Sequence, residues 1–119
     1  MSLRIAIVGG GLAGLSLAAW LQRRGQACTV FEASDGAVPR EGELPLSPEG
    51  VALLRELIEV PEASLLPVLP LRVVSHSARS LLTLDDTQGP LLAQQRVSHA
   101  AVHARLREAL PSGVVREGS

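Results

Sequence analysis

The first apolar run of the chain, Leu3 to Val8, is short and nearly continuous, the pattern of a parallel strand buried on both faces. It stops at Gly9. Beyond it, Gly14, Leu17, Ala18 and Leu21 recur at helical spacing and form one packing stripe, while Gln22, Arg23 and Arg24 fall on the solvent side. Gly25 closes this helix, and Cys28 and Val30 then alternate with outer positions in a second strand ending at Glu32. The stretch from Leu3 to Glu32 therefore reads as strand, glycine turn, helix and strand, and the rest of the chain is organised around it.

Ala33 to Glu43 is rich in turn formers and charge and reads as a loop. Ser47-Pro48-Glu49 is a helix start, with a capping hydroxyl, a proline in the first turn and an acid near the positive end. Val51, Leu54, Leu57 and Ile58 form its apolar stripe, and it should end before Pro61. Pro61, Pro67 and Pro70 punctuate an irregular crossing anchored by Leu65, Leu66 and Leu69. Leu71 to His76 and Ser80 to Leu84 are short strand-like runs, with turns at Asp85-Asp86 and Gly89-Pro90. Arg96 to Leu110 returns to helix, capped by Ser98, with Val102, Leu106, Ala109 and Leu110 on one face. Pro111-Ser112-Gly113 ends it, and Val114 to Arg116 begins another strand.

The glycine turn carries the chemistry. In the order Gly9-Gly10-Gly11-Leu12-Ala13-Gly14, Gly9 permits a sharp turn, Gly11 removes a side chain that would block a pyrophosphate, and Gly14 lets the helix sit close to the strand. Unpaired amides at the helix start and the aligned peptide dipoles favour an anion there. Glu32, 18 positions after Gly14, lies at the end of the second strand, where a carboxylate accepts both hydroxyls of a ribose and repels a 2′-phosphate. Arg40 sits in the loop leaving that site and is a candidate phosphate or adenine contact. The expected fold class is α/β: a Rossmann-like βαβ domain with a partial parallel sheet and a short antiparallel β excursion. Residues 1–60 and 96–119 form its nucleotide-binding part and residues 61–95 the excursion.

Composition narrows the remaining classes. The chain has 119 residues, enough for one domain, and only Trp20 and Phe31 are aromatic, so Leu, Ala and Val must fill the core. A net charge of −1 gives no electrostatic footprint for nucleic acid. Every basic residue is Arg, a bias that fits GC-rich coding better than a dedicated anion surface. Cys28 is the single cysteine and excludes an intrachain disulfide; with no 18-residue apolar run and no signal-like start, the expectation is a cytoplasmic protein without a membrane span. His99 and His103 stand four apart, but no acid or cysteine completes a metal site and Arg105 and Arg107 are poor neighbours for a cation, so no metal is expected. His76 reads as an ordinary strand residue. No nucleophilic triad or paired carboxylates are legible, so no catalytic residue is assigned.

Three blocks, RIAIVGGGLAGLSLAAWLQRRGQACTVFEAS, PREGELPLSPEGVALLREL and RVSHAAVHARLREAL, together resemble the class A flavoprotein monooxygenases, the family of p-hydroxybenzoate hydroxylase, the ubiquinone-pathway hydroxylases and squalene epoxidase. The resemblance implies FAD as cofactor, with its pyrophosphate over Gly9, Gly11, Leu12, Ala13 and Gly14 and its adenosine ribose at Glu32 and Ala33. It places Arg40 near the cofactor, and His99 where many members carry an arginine that reaches the FAD. It further implies reduction of FAD by NADH or NADPH and transfer of one oxygen atom to a small organic substrate. Members run to several hundred residues, so the chain reads as an N-terminal fragment, lacking their later segments that hold the ribityl and flavin phosphate. The alternatives are a flavin-dependent dehydrogenase, reductase or halogenase on the same fold, or a non-catalytic nucleotide-binding module. In the doubly wound strand order 3-2-1-4, Val114 to Arg116 supplies strand three, and nothing supplies strand four. The free edge of the opening strand is then a candidate for self-association.

Overall fold

The computed structural model describes residues 3–34, 42–60, 66–67, 71–84 and 95–118. Its elements in chain order are β1 (Ile5–Val8), α1 (Leu12–Arg23), β2 (Cys28–Glu32), β3 (Glu43–Leu46), α2 (Pro48–Leu57), β4 (Leu66–Pro67), β5 (Leu71–Val74), β6 (Ser80–Leu84), β7 (Gln95–Ser98), α3 (His99–Ala109) and β8 (Val115–Glu117). β1, β2 and β8 form a parallel sheet in that spatial order, with Ile5 opposite Cys28, Val8 opposite Phe31, Val30 opposite Val115 and Glu32 opposite Glu117. This is the expected α/β architecture, and β8 takes the place expected of strand three.

One face of this sheet carries the core. Ile7, Cys28 and Val30 are buried together with Leu15, Ala18 and Ala19 of α1, Leu54 and Leu57 of α2, and Val102 and Leu106 of α3. The opposite face differs from the expectation for β1: Ala6 is exposed and Val8 is 90% exposed, because no described element covers the side to which alternate residues point. The buried stripe of α1 is also rotated from the one read in the sequence. Leu15, Ala18 and Ala19 are buried while Leu17 is 47% exposed. α1 is apolar on nearly every side, so its pattern offers two stripes and only packing against β2 and α3 chooses between them.

The helix ends follow local chemistry. Gly25, at φ +74, donates its N–H to Gln22 O at 3.0 Å while Gln26 N–H reaches Leu21 O at 3.0 Å, closing α1 with a left-handed residue where the sequence placed the stop. α2 begins as expected, with Ser47 Oγ accepting from Gly50 N–H at 3.1 Å and Val51, Leu54, Leu57 and Ile58 buried. α3 is capped by Ser98, whose Oγ accepts from Ala101 N–H at 3.3 Å. Arg96 and Val97, read as helix, are instead strand, and Ala109 is exposed while Leu110 beyond the helix is buried.

The antiparallel pieces form two small sheets. β3, β7 and β4 pair in the order β3-β7-β4, with Leu44 opposite Val97 and Pro45 opposite Arg96. β3 falls where the sequence read only loop and a proline-bearing run; Pro45 is tolerated because β3 is an edge strand. β5 and β6 form the two expected strands and pair with each other as a hairpin. Pro61, Leu65, Leu69 and Pro70 of the crossing, and the turns at Asp85-Asp86 and Gly89-Pro90, lie outside the described residues.

Candidate nucleotide-binding site

The site lies at the C-terminal ends of the parallel strands, where β1 gives way to α1. Gly9 adopts φ +105, a conformation that L side chains rarely hold, and its N–H donates to Phe31 O at 2.8 Å, so β1 stays paired with β2 into the turn. A Cβ at Gly14 would run into the Gly9 carbonyl oxygen and sit 3.3 Å from Ile7 Cγ2, the close helix–strand approach read from the sequence. At Gly11, by contrast, an added Cβ meets nothing within 4 Å. Open space is therefore in front of the residue expected to admit a pyrophosphate.

The three helices start differently. α2 and α3 have serine side chains on their first-turn amides, whereas α1 starts at Gly11 with no side-chain cap and no acid in its first turn. The amides of that turn, which includes Leu12 and Ala13, together with the helix dipole suit a bound anion. The donor set thus fits the diphosphate of an ADP moiety.

Glu32 stands beside this turn. Its Oε2 accepts from Gly10 N–H at 2.5 Å, and its Oε1 accepts from Ser34 N–H at 3.3 Å and Ser34 Oγ at 3.1 Å. The Gly10 amide, followed by the backbone and side-chain donors of Ser34, holds the Glu32 carboxyl below its ordinary value of 4.5. It is ionised at neutral pH. A carboxylate has about four lone-pair positions, and the long Ser34 contacts are the ones a ribose hydroxyl would displace at least cost. Ala33 is the exposed residue between the two.

Gly10 and Ser34 were not singled out in the sequence. A Cβ on Gly10 would lie 2.9 Å from Glu32 Oε2, so the middle glycine of the triplet makes room for the acid, a role its place in the triplet alone does not disclose. His103 was also missed. Its Nε2 is 2.9 Å from Gly10 O, and its ring lies nearly parallel to that of His99, with centroids 6.3 Å apart. His99 opens α3, donates its backbone N–H to Gly42 O at 3.1 Å, and keeps Nδ1 buried with no partner among the described residues. Arg40 lies outside the described residues. Among the described residues no three potential ligands gather for a metal, and no helix is long and apolar enough to cross a membrane.

Comparison with known proteins points to the same fold class. Residues 7–38 match the family model of an NAD(P)-binding Rossmann-like domain. Over 98% of its length the chain is 30% identical to the 3-amino-4-hydroxybenzoate 2-monooxygenase PtnB3 of Streptomyces platensis, of which it spans 31%. The chain is similar over nearly its whole length to the N-terminal FAD-binding part of class A flavin monooxygenases, and it spans about a third of these relatives. A 3-amino-4-hydroxybenzoate 2-monooxygenase of Streptomyces cremeus is 47% identical over 55 residues, 46% of this chain and 14% of that protein. Among solved structures, 2,6-dihydroxypyridine-3-hydroxylase of Arthrobacter nicotinovorans superposes with a TM-score of 0.69 at 23% identity, over 99% of this chain and 29% of that one. The p-nitrophenol 4-monooxygenase of Pseudomonas putida gives a TM-score of 0.69 at 19% identity, over 99% and 33%. At those identities the structural likeness is one of fold.

Proposed function

We propose that this chain holds the ADP half of FAD for a monooxygenase that draws on NADH or NADPH and inserts one oxygen atom into a small aromatic substrate. The observation that carries the proposal is the uncapped start of α1, with open space before Gly11 and the ionised Glu32 alongside. In this reading the first-turn amides around Leu12 and Ala13 receive the pyrophosphate. Glu32 takes the ribose hydroxyls, Ala33 borders the adenosine, and His99 turns its buried Nδ1 to the cofactor. FAD would supply the redox chemistry when bound, and the residues of this chain bind and orient its adenosine end. Support for an aromatic substrate comes from the relatives, 3-amino-4-hydroxybenzoate monooxygenases and a dihydroxypyridine hydroxylase, all of which extend well beyond the part this chain spans.

The test is isotopic. A full-length protein carrying this segment, given NAD(P)H, an aminohydroxybenzoate and labelled dioxygen, should place one labelled oxygen in its product. Substrate oxidation or halogenation without label would overturn the reading in favour of another flavin enzyme of the same fold.

The reading extends to self-association through β1. Among the described residues this strand pairs only with β2, and its other edge is apolar and free of proline and charge. Such an edge pairs with a second copy of the chain. Light scattering during size-exclusion chromatography should give a mass above the monomer's. A monodisperse monomer with slowly exchanging amides from Ile5 to Val8 would contradict it.

A further inference from the structure

Gly10 is held from two sides. Its N–H donates to Glu32 Oε2 on β2, and its carbonyl oxygen lies 2.9 Å from His103 Nε2 on α3. A carbonyl only accepts, so His103 Nε2 carries the proton and donates. The consequence falls on the next amide. In a trans peptide the C=O and N–H point in opposite directions, so fixing the Gly10 carbonyl toward α3 turns the Gly11 N–H away from it. Two adjacent glycines resist rotation of the peptide between them less than any other pair, and the reversed peptide would present a carbonyl to an incoming anion. A hydrogen bond to the carbonyl also polarises the peptide and makes its N–H a better donor.

We infer that His103 is a positioning residue for phosphate recognition: by donating to the Gly10 carbonyl it locks the Gly10–Gly11 peptide in the orientation that offers the Gly11 amide to a diphosphate. This rests on the ADP-site reading above. His103 acts through the backbone, and its effect is confined to the phosphate half of the ligand, because the ribose is left to Glu32. Glu32 and His103 thus set successive peptides of one turn from opposite sides.

The test compares ADP with adenosine by calorimetry on the 119-residue chain and its variants. His103→Leu should weaken ADP by about fivefold, one hydrogen bond's worth, and leave adenosine unchanged. His103→Gln, whose Nε2 donates from a similar reach, should restore most of the loss. Equal weakening of both ligands would mark a merely structural role and overturn the proposal, as would unchanged ADP affinity in His103→Leu. If the unsubstituted chain binds neither ligand, the ADP-site reading fails, and the proposal with it. Should His103→Leu not fold, nitrogen chemical shifts of the unsubstituted chain decide: a proton on Nε2 is expected, and the tautomer protonated only on Nδ1 would overturn the assignment.

Discussion

The parallel unit built from β1, α1, β2, α3 and β8 and the β5–β6 hairpin both carry apolar strands, but only the first buries one face of them in a core. Val30, Leu15, Val102 and Leu106 are fully buried, whereas Val73, Val74, Leu81 and Leu82 of the hairpin are each more than two-fifths exposed. The turns differ in the same direction. Where the parallel unit needs a left-handed residue it uses glycine, as at Gly9 and Gly25; the hairpin places Ala78 at φ +62 in its turn. Cohesion and turn chemistry are concentrated in the parallel unit, where the candidate site lies; among the described residues the hairpin is held by its own ladder and by Ser75 and Arg79, whose backbones meet at 2.8 Å.

Truncation should separate the two regions most. Leu106→Ala removes a side chain with no exposure and should cost about 3–4 kcal/mol in urea unfolding. Leu81→Ala, at 63% exposure, should stay within about 0.5 kcal/mol. Equal costs would dissolve the distinction. Gly14→Ala comes next: its methyl group meets backbone, which cannot swing aside, so a loss of about 2–3 kcal/mol is expected, with ADP binding falling as α1 lifts from β1. A neutral Gly14→Ala would mean that the contact between α1 and Gly9 is looser than described. A smaller effect has the opposite sign. Ala78→Gly removes a left-handed penalty of about 1–2 kcal/mol and adds unfolded-chain entropy of about 0.5–1 kcal/mol, for a net local gain of about 0.5–1 kcal/mol. Slower hydrogen exchange at the Ser75 and Arg79 amides would register it, and faster exchange would refute it.

What the sequence disclosed follows the same division between local and non-local causes. Ser47-Pro48 starts α2 and Gly25 stops α1 through bonds within a few residues, and both were readable. The acid at Glu32 was readable because a motif of fixed spacing places it. β3 and β7 were not. Their pairing joins residues about fifty positions apart, proline such as Pro45 is uncommon in strands, and Arg96-Val97 runs on into the periodicity of α3. The phase of α1 was missed because an all-apolar helix carries no contrast, leaving Leu17 out and Leu15 in by packing alone. In the sequence His103 shows only a metal-ligand spacing to His99, since its partner is a backbone carbonyl on a distant turn that leaves no trace in composition or spacing.

The central claim is that Glu32 and the open glycine turn form one ADP-binding site. Calorimetric titration of ADP into the unsubstituted chain and into Glu32→Ala addresses it directly. Loss of the carboxylate removes the ribose acceptor and frees the Gly10 amide, so the affinity should fall by more than about tenfold. An affinity unchanged in Glu32→Ala would contradict the account.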